Sequence, residues 1–211
     1  MRTSGTDQLQ SIKHQLIHLG DTCGNITVKA SEILFLDKKI KDENKKKISA
    51  EACQISNLAH NLEDLCREYI IKSRWERTNI IPAAANIAKE IEQITYTSDC
   101  IAKFLSNATV TNTAYAAQII RENANICKKL INYGVESFVR GDVIRADSAE
   151  EIGYRIFENS KIAIAEILTT VKNGKSDESS ISNLITSISL FNLIGDKALN
   201  ISRHALDSFK V

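Results

Sequence analysis

The chain has 211 residues, of which 43% are hydrophobic and 25% are charged, a composition typical of a globular protein with one sizeable core. Its formal net charge of +1 argues against a nucleic-acid-binding domain, which would carry a basic excess. One proline and eight glycines are too few for the frequent turns of an all-β fold, so we expect long helices.

The sequence also favours a cytoplasmic location. No stretch approaches the roughly 20 apolar residues that a membrane-spanning helix needs, and the first ten residues lack the apolar run of a secretory signal. Five cysteines occur without metal-ligand spacing, which predicts reduced and mostly buried thiols.

Short polar stretches divide the chain into six segments with helical periodicity. The strongest divider is 106–113, rich in Asn and Thr, which predicts one unit at 1–107 and another at 108–211. Trp75 is expected to cap the bundle, with a partner contact as the alternative, and Gly174 is expected to stop a helix. Weaker breaks are predicted at 41–47, 72–79, 140–142 and 172–180.

The first segment carries a seam of mostly apolar residues at alternating intervals of three and four, as in helices that pack side by side. The seam consists of Leu9, Ile12, Leu16, Leu19, Cys23, Ile26, Ala30 and Ile33. His14 and His18 lie one turn apart on the polar side, a spacing that can hold zinc. The local sequence supplies no further ligand for such a site, so a solvated face is the favoured interpretation.

The third and sixth segments repeat this seam with an offset of one hundred residues. The two sets are Ile81, Ala84, Ala88, Ile91, Thr95, Ser98, Ala102 and Leu105, and then Ile181, Leu184, Ile188, Phe191, Gly195, Ala198, Ser202 and Ala205. Both seams change from large to small residues at the same height, which indicates duplication of a three-helix unit. Gly195 costs roughly 1 kcal/mol in helix propensity, so we expect close packing of a facing helix to offset it.

A polar stripe runs beside each of these two seams. The sixth segment carries Asn192, Asp196 and Asn200, and the third carries Glu92, Tyr96 and Cys100, with Asp99 close by. A carboxylate one turn from another oxygen donor can hold a cation, and it can equally belong to a solvated helix face. The spacing alone favours the solvated face.

The sequence LIGDKALNIS at 193–202 resembles the signature in the last helix of the PhoU family of phosphate-transport regulators. The agreeing residues are Ile194, Gly195, Asp196, Ala198, Asn200 and Ile201. The third segment resembles a first copy of this signature through Ile87, Ala88, Glu92, Ile94, Ile101, Ala102 and Lys103. The stretch 138–152 is similar to the family's second connection between helices, through Asp142 and Ala146.

The resemblance implies an all-α fold of two three-helix bundles related by a pseudo-twofold axis. It further implies a non-enzymatic cytoplasmic regulator of phosphate uptake that binds a phosphate transporter subunit or a sensor histidine kinase. Catalytic motifs such as GxSxG and HExxH do not occur in the sequence, in line with this expectation. Two alternatives stay open: a helical-bundle protein that binds or stores metal, and a structural module that self-associates as a homodimer.

The chain departs from the family at the metal-binding positions. Family members carry Glu/Asp-x-x-x-Asp in each copy and bind iron or zinc clusters there. Here Tyr96 replaces the aspartate of the first copy, and Asn192 replaces the glutamate of the second. The degenerate metal site that remains is Glu92, Asn192 and Asp196, with Asp99 as a partial compensation in the first copy. We therefore expect weak or absent binding of iron or zinc.

Overall fold

The computed structural model describes residues 5–72, 79–109, 114–172 and 178–209, and these residues form helices and no strand. The helices are α1 (Gly5–Glu32), α2 (Lys38–Lys72), α3 (Ile80–Ser106), α4 (Ala114–Arg140), α5 (Val143–Asp147), α6 (Ala149–Lys172) and α7 (Glu178–Ser208). Six of them are long, so the predicted all-α fold is confirmed. Within the described ranges, no helix has the length and hydrophobicity to cross a membrane.

The helices form two corresponding units of three. α1, α2 and α3 pack on one another, and α4, α6 and α7 do the same in the second half. The thiol of Cys23 on α1 donates to the carbonyl oxygen of Ile91 on α3 over 3.7 Å. The thiol of Cys127 on α4 donates to the carbonyl oxygen of Phe191 on α7 over 3.8 Å. Since Ile91 and Phe191 match in the predicted offset, α3 and α7 occupy equivalent positions in the two units.

The predicted seams form the centre of the molecule. Every seam residue of α3 is at most 3% exposed. Among the seam residues of α7, Ile181 is partly exposed and the others are buried. The two units pack together through α1 against α4 and through α3 against α7, and one cluster of buried side chains spans both. The two units therefore share a single hydrophobic core. The division of the chain into 1–107 and 108–211 stays a prediction.

The break predicted at 41–47 is wrong, because these residues lie inside α2. Lys and Glu are good helix formers, and most side chains of this stretch point into water. The buried Lys41 donates from its Nζ to the carbonyl oxygen of Ala108 over 2.8 Å, which joins the start of α2 to the end of α3. The chain turns earlier, in a 3₁₀ turn at Ile33–Phe35 that ends in the extended residue Leu36.

The break predicted at 140–142 is confirmed. α4 ends at Arg140, and Gly141 adopts a φ of 75°, a left-handed conformation that glycine tolerates best. Asp142 then caps α5, because its Oδ1 accepts a hydrogen bond from the backbone N–H of Arg145 over 3.0 Å. The predictions for Trp75, for Gly174 and for the middle of 106–113 fall outside the described residues.

Candidate functional site

A surface groove of about 680 Å³ lies between α2, α3 and α7, and we call it the α2–α3–α7 groove. The polar stripe of α3 lines one part of it with Glu92, Tyr96 and Asp99. α7 contributes Leu193 and Lys197. Tyr96 is 69% exposed and Leu193 is 42% exposed, so the groove presents aromatic and aliphatic surface to solvent. Such surface is typical of sites where a partner binds.

The two carboxylates of the groove are held by serine hydroxyls from α2. Ser56 donates from its Oγ to Glu92 Oε1 over 2.5 Å, and Ser49 donates to Asp99 Oδ1 over 2.5 Å. The other oxygen of Asp99 accepts a hydrogen bond from Lys103 Nζ over 2.6 Å, and this bond raises the pKa of Lys103. With both oxygens engaged, Asp99 serves the contact between α2 and α3, which argues against its acting as the compensating metal ligand.

The second unit repeats the serine contact with an amide in place of the carboxylate. Ser160 on α6 donates from its Oγ to Asn192 Oδ1 over 2.7 Å, and it accepts a hydrogen bond from Asn123 Nδ2 over 3.2 Å. The bond from Ser160 to Asn192 thus corresponds to the bond from Ser56 to Glu92. Asp196, one turn beyond Asn192, is exposed.

The structure therefore distributes the three residues of the degenerate metal site over two places. Glu92 contacts α2, whereas Asn192 contacts α6. In the part of the chain that the structure describes, no three His, Cys, Asp or Glu side chains are grouped to hold a metal ion. Each copy of the motif offers one carboxylate beside a phenol or an amide, a donor set that fits an iron or zinc cluster poorly. His14 and His18 are both exposed, as the solvated-face interpretation requires.

A further polar cluster, which the sequence analysis missed, joins α3 to α7. Glu90 accepts hydrogen bonds from Lys197 Nζ and Asn200 Nδ2, each over 3.3 Å, and His204 Nε2 lies 3.9 Å from Glu90 Oε1. Lys197 also donates to the side-chain oxygen of Gln93. Burial alone would raise the pKa of Glu90, but the His204 imidazole and the Lys197 charge outweigh it, so the pKa is lowered.

The signal for this cluster is present in the sequence but weak. Lys197, Asn200 and His204 recur at intervals of three and four, which puts them on one face of α7. Their carboxylate partner lies more than one hundred residues away in the sequence, so no local pattern connects it to them.

Comparison with known proteins gives matches among solved structures alone. No protein-family model matches the sequence, and no curated protein matches it. PhoU from Pseudomonas aeruginosa superposes with a TM-score of 0.85 and 16% identity, covering 96% of this chain and 97% of that chain. The phosphate transport system regulatory protein PhoU from Streptococcus pneumoniae superposes with a TM-score of 0.79 and 13% identity, covering 97% and 96%. The chain thus has the fold of PhoU proteins over nearly its whole length, and the predicted fold is confirmed.

Proposed function

We propose that this chain is a cytoplasmic regulator of inorganic phosphate uptake that binds a subunit of a phosphate transporter. The observation that carries the proposal is the full-length likeness to two PhoU structures, one of them described as a phosphate transport system regulatory protein. The resemblance of 193–202 to the family signature supports it at the level of residues. A sensor histidine kinase is the second partner that this resemblance implies.

In this proposal the chain has no enzymatic activity and acts by binding its partner. Long helices on a shared core give a rigid surface, which lowers the entropy cost of association. A regulator of this kind needs shape and charge complementarity to its partner and does not need a reacting group.

We infer that the α2–α3–α7 groove is the surface that contacts the transporter subunit. The groove runs between α3 and α7, the two helices that carry the resemblance to the family. Its exposed Tyr96 and Leu193 are the kinds of side chain that bury apolar area on binding.

A complementation experiment with matched surface variants tests this proposal. The groove variant is Tyr96→Ala with Leu193→Ser. The control is Tyr154→Ala with Leu168→Ser on α6, where the side chains are similarly exposed at 62% and 49%. We expect loss of the gene to raise phosphate uptake when phosphate is plentiful, and we expect the control but not the groove variant to restore repression.

The outcomes separate the parts of the proposal. Unchanged phosphate uptake after loss of the gene would contradict the function itself. Equal restoration by both variants would contradict the groove as the contact surface. Co-purification of a sensor histidine kinase instead of a transporter subunit would contradict the transporter subunit as the partner and support the kinase.

Metal binding and self-association belong to the same proposal. We propose that Glu92, Asn192 and Asp196 bind iron or zinc weakly at most, because each copy of the motif has one carboxylate. No observation favours the metal-storage alternative over the regulatory one. A homodimer remains a prediction, which light scattering of the purified chain would check.

A further inference from the structure

A second pocket, of about 360 Å³, lies on α4 and α5, helices that do not line the α2–α3–α7 groove. We call it the basic pocket because three of its lining side chains are cationic and one is acidic. It is lined by Asn125, Lys128, Lys129, Asn132, Tyr133, Glu136 and Arg145. Its volume falls within the range of sites that bind small molecules.

Arg145 is held in a defined orientation in this pocket. Its Nη1 lies 2.8 Å from Glu136 Oε2, and its guanidinium carbon lies 4.2 Å from the centroid of the Tyr133 ring. Its Nε is buried and has no hydrogen-bond partner among the described residues. The side chain keeps 29% of its surface exposed, and a planar guanidinium oriented by two neighbours is pre-organised to bind an oxyanion.

The two lysines add charge that the protein does not neutralise within the pocket. Lys128 donates from its Nζ to Asn25 Oδ1 of α1 over 2.8 Å, so its partner is a neutral amide. Lys129 is exposed, and its Nζ lies 5.2 Å from the centroid of the Tyr133 ring. Glu136 is the one acidic side chain of the lining and offsets one of its three positive charges, so the pocket keeps a positive excess that attracts an anion.

We propose that the basic pocket binds a phosphate group. Arginine and lysine side chains donate charge-assisted hydrogen bonds to phosphate oxygens, and the amides of Asn125 and Asn132 supply neutral donors. The phosphate group can belong to a soluble phosphate ester or to the headgroup of an anionic lipid. Ile144, beside Arg145 on α5, is 84% exposed and would touch a lipid surface but not a small ligand. This inference does not depend on the proposed function.

The test uses the full chain and two probes, a soluble phosphate monoester in calorimetry and vesicles of phosphatidic acid with phosphatidylcholine in sedimentation. The pocket variant is Lys129→Gln with Arg145→Gln. The control is Lys46→Gln with Lys47→Gln, which removes the same charge from two exposed positions on α2. Because charge-assisted hydrogen bonds are lost, we expect the pocket variant to bind at least about tenfold more weakly and the control to bind like the native chain.

Two single variants control for misfolding and distinguish a soluble phosphate ester from a lipid headgroup as the ligand. Glu136→Gln removes the negative charge and keeps a side-chain oxygen that can accept from Arg145, so we expect tighter binding, an effect that structural damage would not produce. Binding of the soluble probe alone assigns a phosphate ester, and vesicle binding that Ile144→Ser weakens assigns a lipid headgroup. Failure of both probes to bind at millimolar concentration, or equal binding by the pocket and control variants, overturns the proposal.

Discussion

Gly195 on α7 packs against Ile156 on α6, so closely that a Cβ atom on the glycine would lie 3.0 Å from Ile156 Cδ1. Both residues are buried, and Ile156 is fully so. The expectation that a facing helix packs closely at Gly195 is therefore confirmed. The neighbour is a side chain rather than the backbone of the facing helix, because the missing Cβ leaves room for the isoleucine.

Replacing this glycine by a large residue should destabilise the fold. We expect Gly195→Leu to lower the free energy of unfolding by about 1–3 kcal/mol through overpacking against Ile156, despite the better helix propensity of leucine. Asp196→Ala, at the adjacent exposed position, should change it by about 0.5 kcal/mol or less. Urea unfolding of both variants measures the difference. A stabilised Gly195→Leu protein would contradict this prediction, because it would mean that α6 shifts to make room for the leucine.

Gly134 on α4 makes a tighter contact and should be the more sensitive glycine. A Cβ there would lie 2.6 Å from Ile201 Cγ2 and 3.0 Å from the backbone nitrogen of Ser202. A backbone atom cannot rotate away as the end of a side chain can, so we expect Gly134→Ala to cost about 2 kcal/mol. Gly195→Ala should stay within about 1 kcal/mol, because it gains helix propensity. Similar unfolding free energies for the two alanine variants would contradict this distinction.

The difference between these two glycines shows what the sequence could predict and what it could not. The seam of α7 contains Gly195, and its spacing alone puts that residue on the buried face. Gly134 lies against α7 only because α4 crosses it at Ser202, and this contact depends on how separate helices pack. Periodicity identifies the buried face of a helix but not the residue that faces each position.

The candidate site, too, was predictable from the sequence only in part. The offset of one hundred residues predicted that Glu92 and Asn192 correspond, and the bonds from Ser56 and Ser160 agree with that correspondence. The serines themselves were missed, because they lie on α2 and α6, where no matching seam had been identified. The incorrect prediction of a break at 41–47 has a related cause. A charged run is typical of a loop, and the sequence alone does not reveal the contact of Lys41 with Ala108.

The Glu90 cluster predicts a loss of stability in acid. Because the pKa of Glu90 is lowered on folding, its ionised form stabilises the folded chain. That stabilisation is complete above the ordinary glutamate pKa of about 4.3, and it is lost as the pH falls through the lower value of the folded chain. Glu90→Gln should therefore lower the free energy of unfolding at pH 7 by about 1–2 kcal/mol and weaken its dependence on pH in the acid range.

Urea unfolding across this pH range measures the effect, and Glu150→Gln serves as the control. Glu150 pairs with Arg203 at 3.1 Å on the surface, where its side chain is 70% exposed. Exposed ion pairs contribute about 0–1 kcal/mol, so the control should keep the acid dependence of the native chain. If Glu90→Gln and Glu150→Gln behave alike, the cluster between α3 and α7 does not contribute to stability as we infer.

Restoring the missing carboxylates should restore metal binding. We expect Tyr96→Asp with Asn192→Asp to raise the iron or zinc content of protein purified without chelator, because each helix then carries two carboxylates one turn apart. Ser160 can still donate to an aspartate at 192, so the contact with α6 survives the change. Elemental analysis by mass spectrometry gives the metal content per chain.

The control for this restoration is Tyr115→Asp with Asn125→Asp, which adds the same two carboxylates at exposed positions of α4. Neither position has an acidic residue four positions away, the spacing of the family motif, and Glu122, three positions before 125, already pairs with Arg155 over 3.4 Å. The control should therefore bind no more metal than the native chain. A native chain that already carries a stoichiometric amount of iron or zinc would contradict the prediction. It would mean that one carboxylate beside Tyr96 or Asn192 suffices to hold the metal.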